Sequence, residues 1–107
     1  MRFLMMLCGD DSTPQNDYLP GCAEWSKAMA ERGVLLAGMG LRPPKEASTV
    51  RVRGGEVLHT DGPFAETKEQ MGGVNILECA NREEALRMAA THPWAAIGTI
   101  EIRQVIA

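Results

Sequence analysis

Gly54-Gly55 separates two five-residue runs, Thr49-Val50-Arg51-Val52-Arg53 and Glu56-Val57-Leu58-His59-Thr60, the first of which alternates strictly. Two residues are what a tight β-hairpin needs, and glycines supply the positive φ that such turns require. An antiparallel hairpin is therefore fixed in the middle of the chain. Everything else must be arranged on its two sides.

On the N-terminal side, Phe3-Leu4-Met5-Met6-Leu7-Cys8 is an unbroken apolar run, the pattern of a central strand covered on both faces. Residues 9 to 17 form a loop, and Tyr18, Cys22, Trp25 and Met29 then share one face of a helix, with Pro20 in its first turn and Gly33 as its stop. Val34-Leu35-Leu36-Ala37 predicts a second buried strand. Gly38 and Gly40 follow, where a missing side chain lets another backbone or a ligand approach closely. Leu41-Arg42-Pro43-Pro44 is a connection, because proline cannot donate to a ladder.

On the C-terminal side, Val74 to Cys79 predicts a strand, and Asn81-Arg82-Glu83-Glu84 is a near capping box for a helix bearing Ala85, Leu86, Ala89 and Ala90. His92-Pro93 closes that helix, where a charged imidazole would suit the helix dipole. Thr99 to Val105 alternates as a last strand with its isoleucines buried. The order strand, helix, strand, hairpin, strand, helix, strand gives an α+β protein: two ferredoxin-like βαβ halves, with an antiparallel sheet carrying two helices on one face. The other face of such a sheet is bare, and a second copy is the simplest cover, so a homodimer is expected.

A chain of 107 residues with 45% hydrophobic content suits a single domain over residues 1–107. The scaling of surface with mass leaves about 5,800 Å² exposed after folding. The net charge of -3 has the wrong sign for phosphate neutralisation, which argues against direct nucleic-acid binding. The Met1–Leu7 run is too short for a signal h-region or a membrane span, so a cytoplasmic protein without a membrane role is expected. Cys8, Cys22 and Cys79 share no CxxC spacing, and with only two histidines there is no HExxH, so neither a disulfide framework nor a metal site is expected. Gly38 and Gly40 fall short of a dinucleotide fingerprint, and no cofactor is expected.

The densest chemistry lies in Asp61-Gly62-Pro63-Phe64-Ala65-Glu66-Thr67-Lys68-Glu69-Gln70, followed by Met71-Gly72-Gly73. Gly62 and Pro63 make a rigid turn, Phe64 is expected to pin it to the sheet, and Glu66 to Gln70 form a short helical turn or an ordered loop. Asp61 has two readings: a cap whose carboxylate takes backbone N–H groups, or a proton carrier whose pKa is raised by Glu66 and Glu69 or lowered by Lys68 or Arg51. His59 precedes it by two residues on the same strand face, the geometry of a relay pair.

These thirteen residues, with Gly38-Met39-Gly40-Leu41-Arg42-Pro43-Pro44 and Val50-Arg51-Val52-Arg53-Gly54-Gly55, resemble the DGPF group of the YCII-related family over nearly the whole chain. The resemblance implies the dimeric α/β barrel, in which two ferredoxin-like sheets pack face to face. Some members of the family accompany RNA polymerase sigma factors, and related proteins carry a His/Asp pair with the histidine near the first helix. Here that helix reads Glu24-Trp25-Ser26-Lys27-Ala28-Met29, and no histidine precedes His59.

The resulting expectation is a small-molecule pocket near the Asp61 turn, with Trp25, Gly38, Gly40, Arg51, Phe64 and Lys68 as ligand-binding residues. If the protein is an enzyme, Asp61, with His59 or Glu69, would do acid/base work on a small carbonyl or anionic substrate. The competing class is a regulatory module linked to sigma-factor transcription. Because Arg51 and Arg53 lie opposite Val50 and Val52 on the pleat, burial of the valines would leave the arginines in water.

Overall fold

The computed structural model describes residues 1–13, 19–65 and 67–106. Tyr18, expected on the face of the first helix, and Glu66, expected beside Asp61, lie outside them. The elements are β1 (Arg2–Gly9), α1 (Cys22–Glu31), β2 (Leu35–Gly40), β3 (Ser48–Arg53), β4 (Glu56–Asp61), β5 (Gln70–Glu78), α2 (Arg82–Ala90) and β6 (Thr99–Gln104). Short 3₁₀ turns cover Pro44–Glu46 and Pro93–Ala96. Four strands form an antiparallel sheet in the order β2-β5-β1-β6, which is the ferredoxin-like arrangement. β3 and β4 form a separate two-stranded sheet inserted between its halves.

Residues paired directly across an antiparallel ladder share a face. Phe3, Met5 and Leu7 therefore align with Leu77, Asn75, Ile102 and Ile100 on one side. Trp25 and Met29 of α1 and Ala85 and Ala89 of α2 join Phe3, Met5, Leu7 and Leu77 in one cluster, so both helices cover that side. The other side carries Leu4, Met6, Ala37, Met39, Val74 and Ile76 and no helix. The apolar run of β1 is thus that of a central strand, but helices cover only one of its faces.

Local chemistry sets the helix boundaries. Gly21, with φ 92°, precedes α1, so Pro20 sits before the helix and not in its first turn. Gly33, with φ 74°, ends it: Val34 N–H bonds Met29 C=O at 2.9 Å and Gly33 N–H bonds Ala30 C=O at 3.0 Å, a Schellman stop. Asn81 caps α2 by accepting from Glu84 N–H at 2.8 Å, and the Glu84 carboxylate reaches back to Ala80 N–H at 3.3 Å.

Two expected burials do not occur. β2 is an edge strand and not a buried one; Leu36 and Met39 are 47% and 54% exposed, Met39 on the sheet side that carries no helix. In the hairpin, Gly54 (φ 57°) and Gly55 (φ 78°) make the expected turn, yet Val50, Val52 and Val57 are as open to water as the arginines. The cause is placement, since the hairpin pairs only with itself and stands away from the main sheet.

Candidate functional site

β1 and β2 both run antiparallel to β5, so their C-terminal ends meet the N-terminal ends of β5 and β6 at one end of the sheet. Topology alone gathers there the loop after β1, the 41–45 connection, the segment before β5 and the turn before β6. They surround an open cleft of about 840 Å³. Its apolar wall is Trp94, Leu41, Pro43, Pro44, Pro63 and Met71, and its polar groups include Asp10, Arg42, Lys45, Lys68 and Gln70.

Each wall is tied down. Trp94 donates its indole N–H to Cys8 C=O at 2.9 Å, which joins the turn before β6 to the end of β1. The Asp10 carboxylate accepts from Ser12 N–H at 2.9 Å, from the Ser12 hydroxyl at 2.5 Å and from the Thr13 hydroxyl at 3.2 Å. The Ser12 hydroxyl, with further help from the Ser12 N–H, Thr13 and the charge of Lys68, holds Asp10 below the usual carboxylate range. Gln70 donates its amide to Ala65 C=O at 3.0 Å and to Thr67 C=O and Oγ1 at 3.2 and 2.9 Å, gathering the loop around one side chain. Arg42 is partly neutralised by Glu46 at 3.1 Å.

Among the sequence-nominated residues, Lys68 lines this cleft and Pro63 brings the Asp61 turn to its edge. Asp61 ends β4, 95% exposed, with its carboxylate 3.8 Å from His59 Nε2. Its carboxylate takes no backbone N–H among the described residues; the turn is held instead by Gly62 N–H to Ala47 C=O at 2.7 Å and Thr49 Oγ1 to Gly62 C=O at 2.8 Å. Phe64 is 80% exposed and pins nothing, a correction explained by those bonds and by Gln70, which hold the segment without it. Glu69 accepts from the Thr99 hydroxyl at 3.1 Å. Arg51 is exposed on the hairpin, on the face opposite His59.

Trp25 is a core residue: its indole donates to Thr91 Oγ1 at 2.8 Å and its ring meets the edge of His92 at 4.6 Å. Gly38 and Gly40 line a second, smaller pocket of about 240 Å³ with Cys22, Ser26, Asn75 and His92. A side chain at Gly38 would collide with the Asn75 amide, the close approach its glycine implied. Asn75 is buried, with its amide against Gly38. Burial, then the charge of Glu24, pushes the Cys22 thiol up, which keeps it protonated and a poor nucleophile. His92 is buried and uncharged: Nδ1 accepts Trp94 N–H at 2.9 Å, and desolvation lowers its pKa. It caps the start of the following 3₁₀ turn, where the sequence suggested a cation at the end of α2.

Sequence reading did not single out Asp10, Trp94 or Gln70. Asp10 and Gln70 carried a usable signal, a polar side chain beside a strand end within a glycine-rich loop. Trp94 carried none, because its partner Cys8 is 86 positions away. Among the described residues no three His, Cys, Asp or Glu side chains converge as metal ligands.

The YCII-related domain profile matches residues 1–107. The chain belongs to the YCII-related family. It is 40% identical over 75 residues, 68% of its length, to an uncharacterized protein of Rhizobium meliloti (strain 1021), of which the match spans 60%. Its fold is similar to that of 5-chloro-2-hydroxyhydroquinone dehydrochlorinase from Burkholderia phenoliruptrix AC1100, solved in complex with 2,5-dihydroxybenzoquinone. The TM-score is 0.55 at 14% identity, over 99% of this chain and 94% of that one. The likeness shows a shared α+β fold. No helix among the described residues is long and apolar enough to cross a membrane.

Proposed function

We propose that this YCII-related protein binds a small molecule in the cleft beside the Asp61-Gly62-Pro63-Phe64 turn and works as a homodimer. The observation that carries the binding reading is the cleft itself, where Lys68 and Gln70 from the turn segment face the same space as Trp94. Lys68, Lys45 and Arg42 supply positive charge and hydrogen-bond donors, while Trp94 and the prolines supply flat apolar walls. A small planar molecule bearing carbonyl or anionic oxygens matches that mixture. The related dehydrochlorinase fold, solved with a dihydroxybenzoquinone, supports the same class of ligand. The homodimer is supported by the helix-free sheet face with its Leu4, Met6, Val74 and Ile76 centre.

The test is a thermal-shift screen with 2,5-dihydroxybenzoquinone and a panel of small hydroxy- and oxo-acids. A ligand at one hundred times its Kd adds about 2.7 kcal/mol of stability. Loss of the shift in Lys68→Ala supports the cleft, whereas a shift untouched by Lys68→Ala overturns this placement.

A second reading makes Asp61 a proton carrier with His59 or Glu69, and the 3.8 Å approach of His59 to Asp61 favours it. Asp61→Asn retaining full turnover on any substrate found would reject that role.

A further inference from the structure

Three glycines thin the helix-covered side of the sheet at one edge. Gly38 pairs with Asn75 and Gly40 with Gly73 across the β2–β5 ladder, and Asn75 pairs with the core residue Met5 on β1, so all of them share the face that α1 covers. With no side chain at 38, 40 or 73, the helix has little to rest on there. The second pocket, of about 240 Å³, opens in that place: Leu7 and Leu35 form its apolar floor, Cys22 and Ser26 of α1 stand over it, and Asn75 and His92 are its inner polar groups.

Both inner groups are fixed. Asn75 is 7% exposed and its amide lies over Gly38, in the space that a β-carbon would fill. His92 is 4% exposed; its Nδ1 accepts Trp94 N–H at 2.9 Å and its ring meets Trp25 at 4.6 Å. Because Nδ1 accepts, the neutral imidazole carries its proton on Nε2 and is a donor there. A sheet position facing helices ordinarily takes an apolar side chain, so two positioned polar ones beside an opening are a departure that a ligand explains.

Charge separates this pocket from the cleft. Among the described residues no Asp, Glu, Lys or Arg lines it, and it shares no lining residue with the cleft, which holds Arg42, Lys45 and Lys68. An ion entering it would lose water and meet no opposite charge.

We propose that the pocket under α1 is a second binding site, for an uncharged molecule of single-ring size that carries a carbonyl acceptor beside an N–H or O–H donor. The carbonyl takes protons from His92 Nε2 and the Asn75 amide, the donor meets the Asn75 carbonyl or the Ser26 hydroxyl, and the ring lies on Leu7 and Leu35. The site stands whether or not the cleft is occupied.

Benzamide and benzoate match in shape and differ in charge, and an NMR titration of the full chain with each tests the site. Benzamide should move the backbone signals of Gly38 and Gly40 and the side-chain amide of Asn75, and benzoate should bind there about tenfold more weakly or worse. Ser26 is half-buried on α1, and leucine is a good helix former, so Ser26→Leu fills the pocket without removing the helix. It should weaken benzamide about tenfold or more, whereas Ser26→Ala, which keeps the space open, should cost only about threefold, the loss of one neutral hydrogen bond. Lys68→Ala should leave benzamide binding unchanged. Still signals at Gly38, Gly40 and Asn75, or benzamide binding that survives Ser26→Leu, overturn the site. Equal affinity for benzoate overturns its preference for uncharged molecules. Loss of benzamide binding in Lys68→Ala puts the molecule in the cleft and overturns the second site, while a cleft that binds nothing leaves these signals untouched.

Discussion

His92 accepts the backbone N–H of Trp94 through Nδ1 at 2.9 Å, so a buried imidazole holds in place the indole that walls the cleft. Burial lowers the pKa of His92, so its folded value lies below its unfolded one. The unfolded chain therefore binds the extra proton first, and stability is full above the unfolded value near pH 6.5 and falls as pH drops below it. Melting temperatures between pH 8 and pH 5 should decline in the wild type. In His92→Asn, which keeps an acceptor for Trp94 but cannot titrate, the decline over that window should flatten.

Gly98 lies beneath the bond from Trp94 to Cys8. A β-carbon there would stand 2.7 Å from Cys8 C=O and collide with the indole nitrogen. Since a backbone carbonyl and a packed ring yield little, Gly98→Ala should destabilise by about 1–3 kcal/mol. Urea unfolding gives the loss, and a shift in tryptophan emission would report the displaced wall.

Gln70 gathers the turn segment through three hydrogen bonds from one amide. Gln70→Glu replaces those donors with a charged acceptor, so the expected outcome is faster exchange at residues 63–69. Global stability should change by less than about 1 kcal/mol, because the loop is largely exposed. Any ligand found in the cleft should bind Gln70→Glu at least several-fold more weakly by calorimetry, since the segment that carries Lys68 is no longer gathered at Ala65 and Thr67.

The Asn81 side chain accepts Glu84 N–H at the start of α2. Asn81→Ala should lower stability by about 1 kcal/mol. The denaturation midpoint should move with an unchanged slope, and Asn81→Ser should recover most of the loss.

Where a residue's partners are its neighbours in sequence, its structure was readable before any coordinates. Gly54-Gly55 specified the hairpin, Gly33 the end of α1, Asn81 the start of α2 and the β1 run the middle of the sheet, because turns, caps and periodicity are local. The order of elements then fixed the α+β topology, since few chain paths satisfy it. What local pattern could not carry was distance. Whether Val50 is buried depends on what stands opposite it, and nothing in β3–β4 says that the main sheet turns away. Phe64 projects into solvent because Gln70 and Ala47 hold its turn, and Trp25 belongs to the core because Thr91 and His92 meet it there. The cleft exists only once strand directions bring four separate loops to one end of the sheet, which is a property of the packed chain and of no single segment.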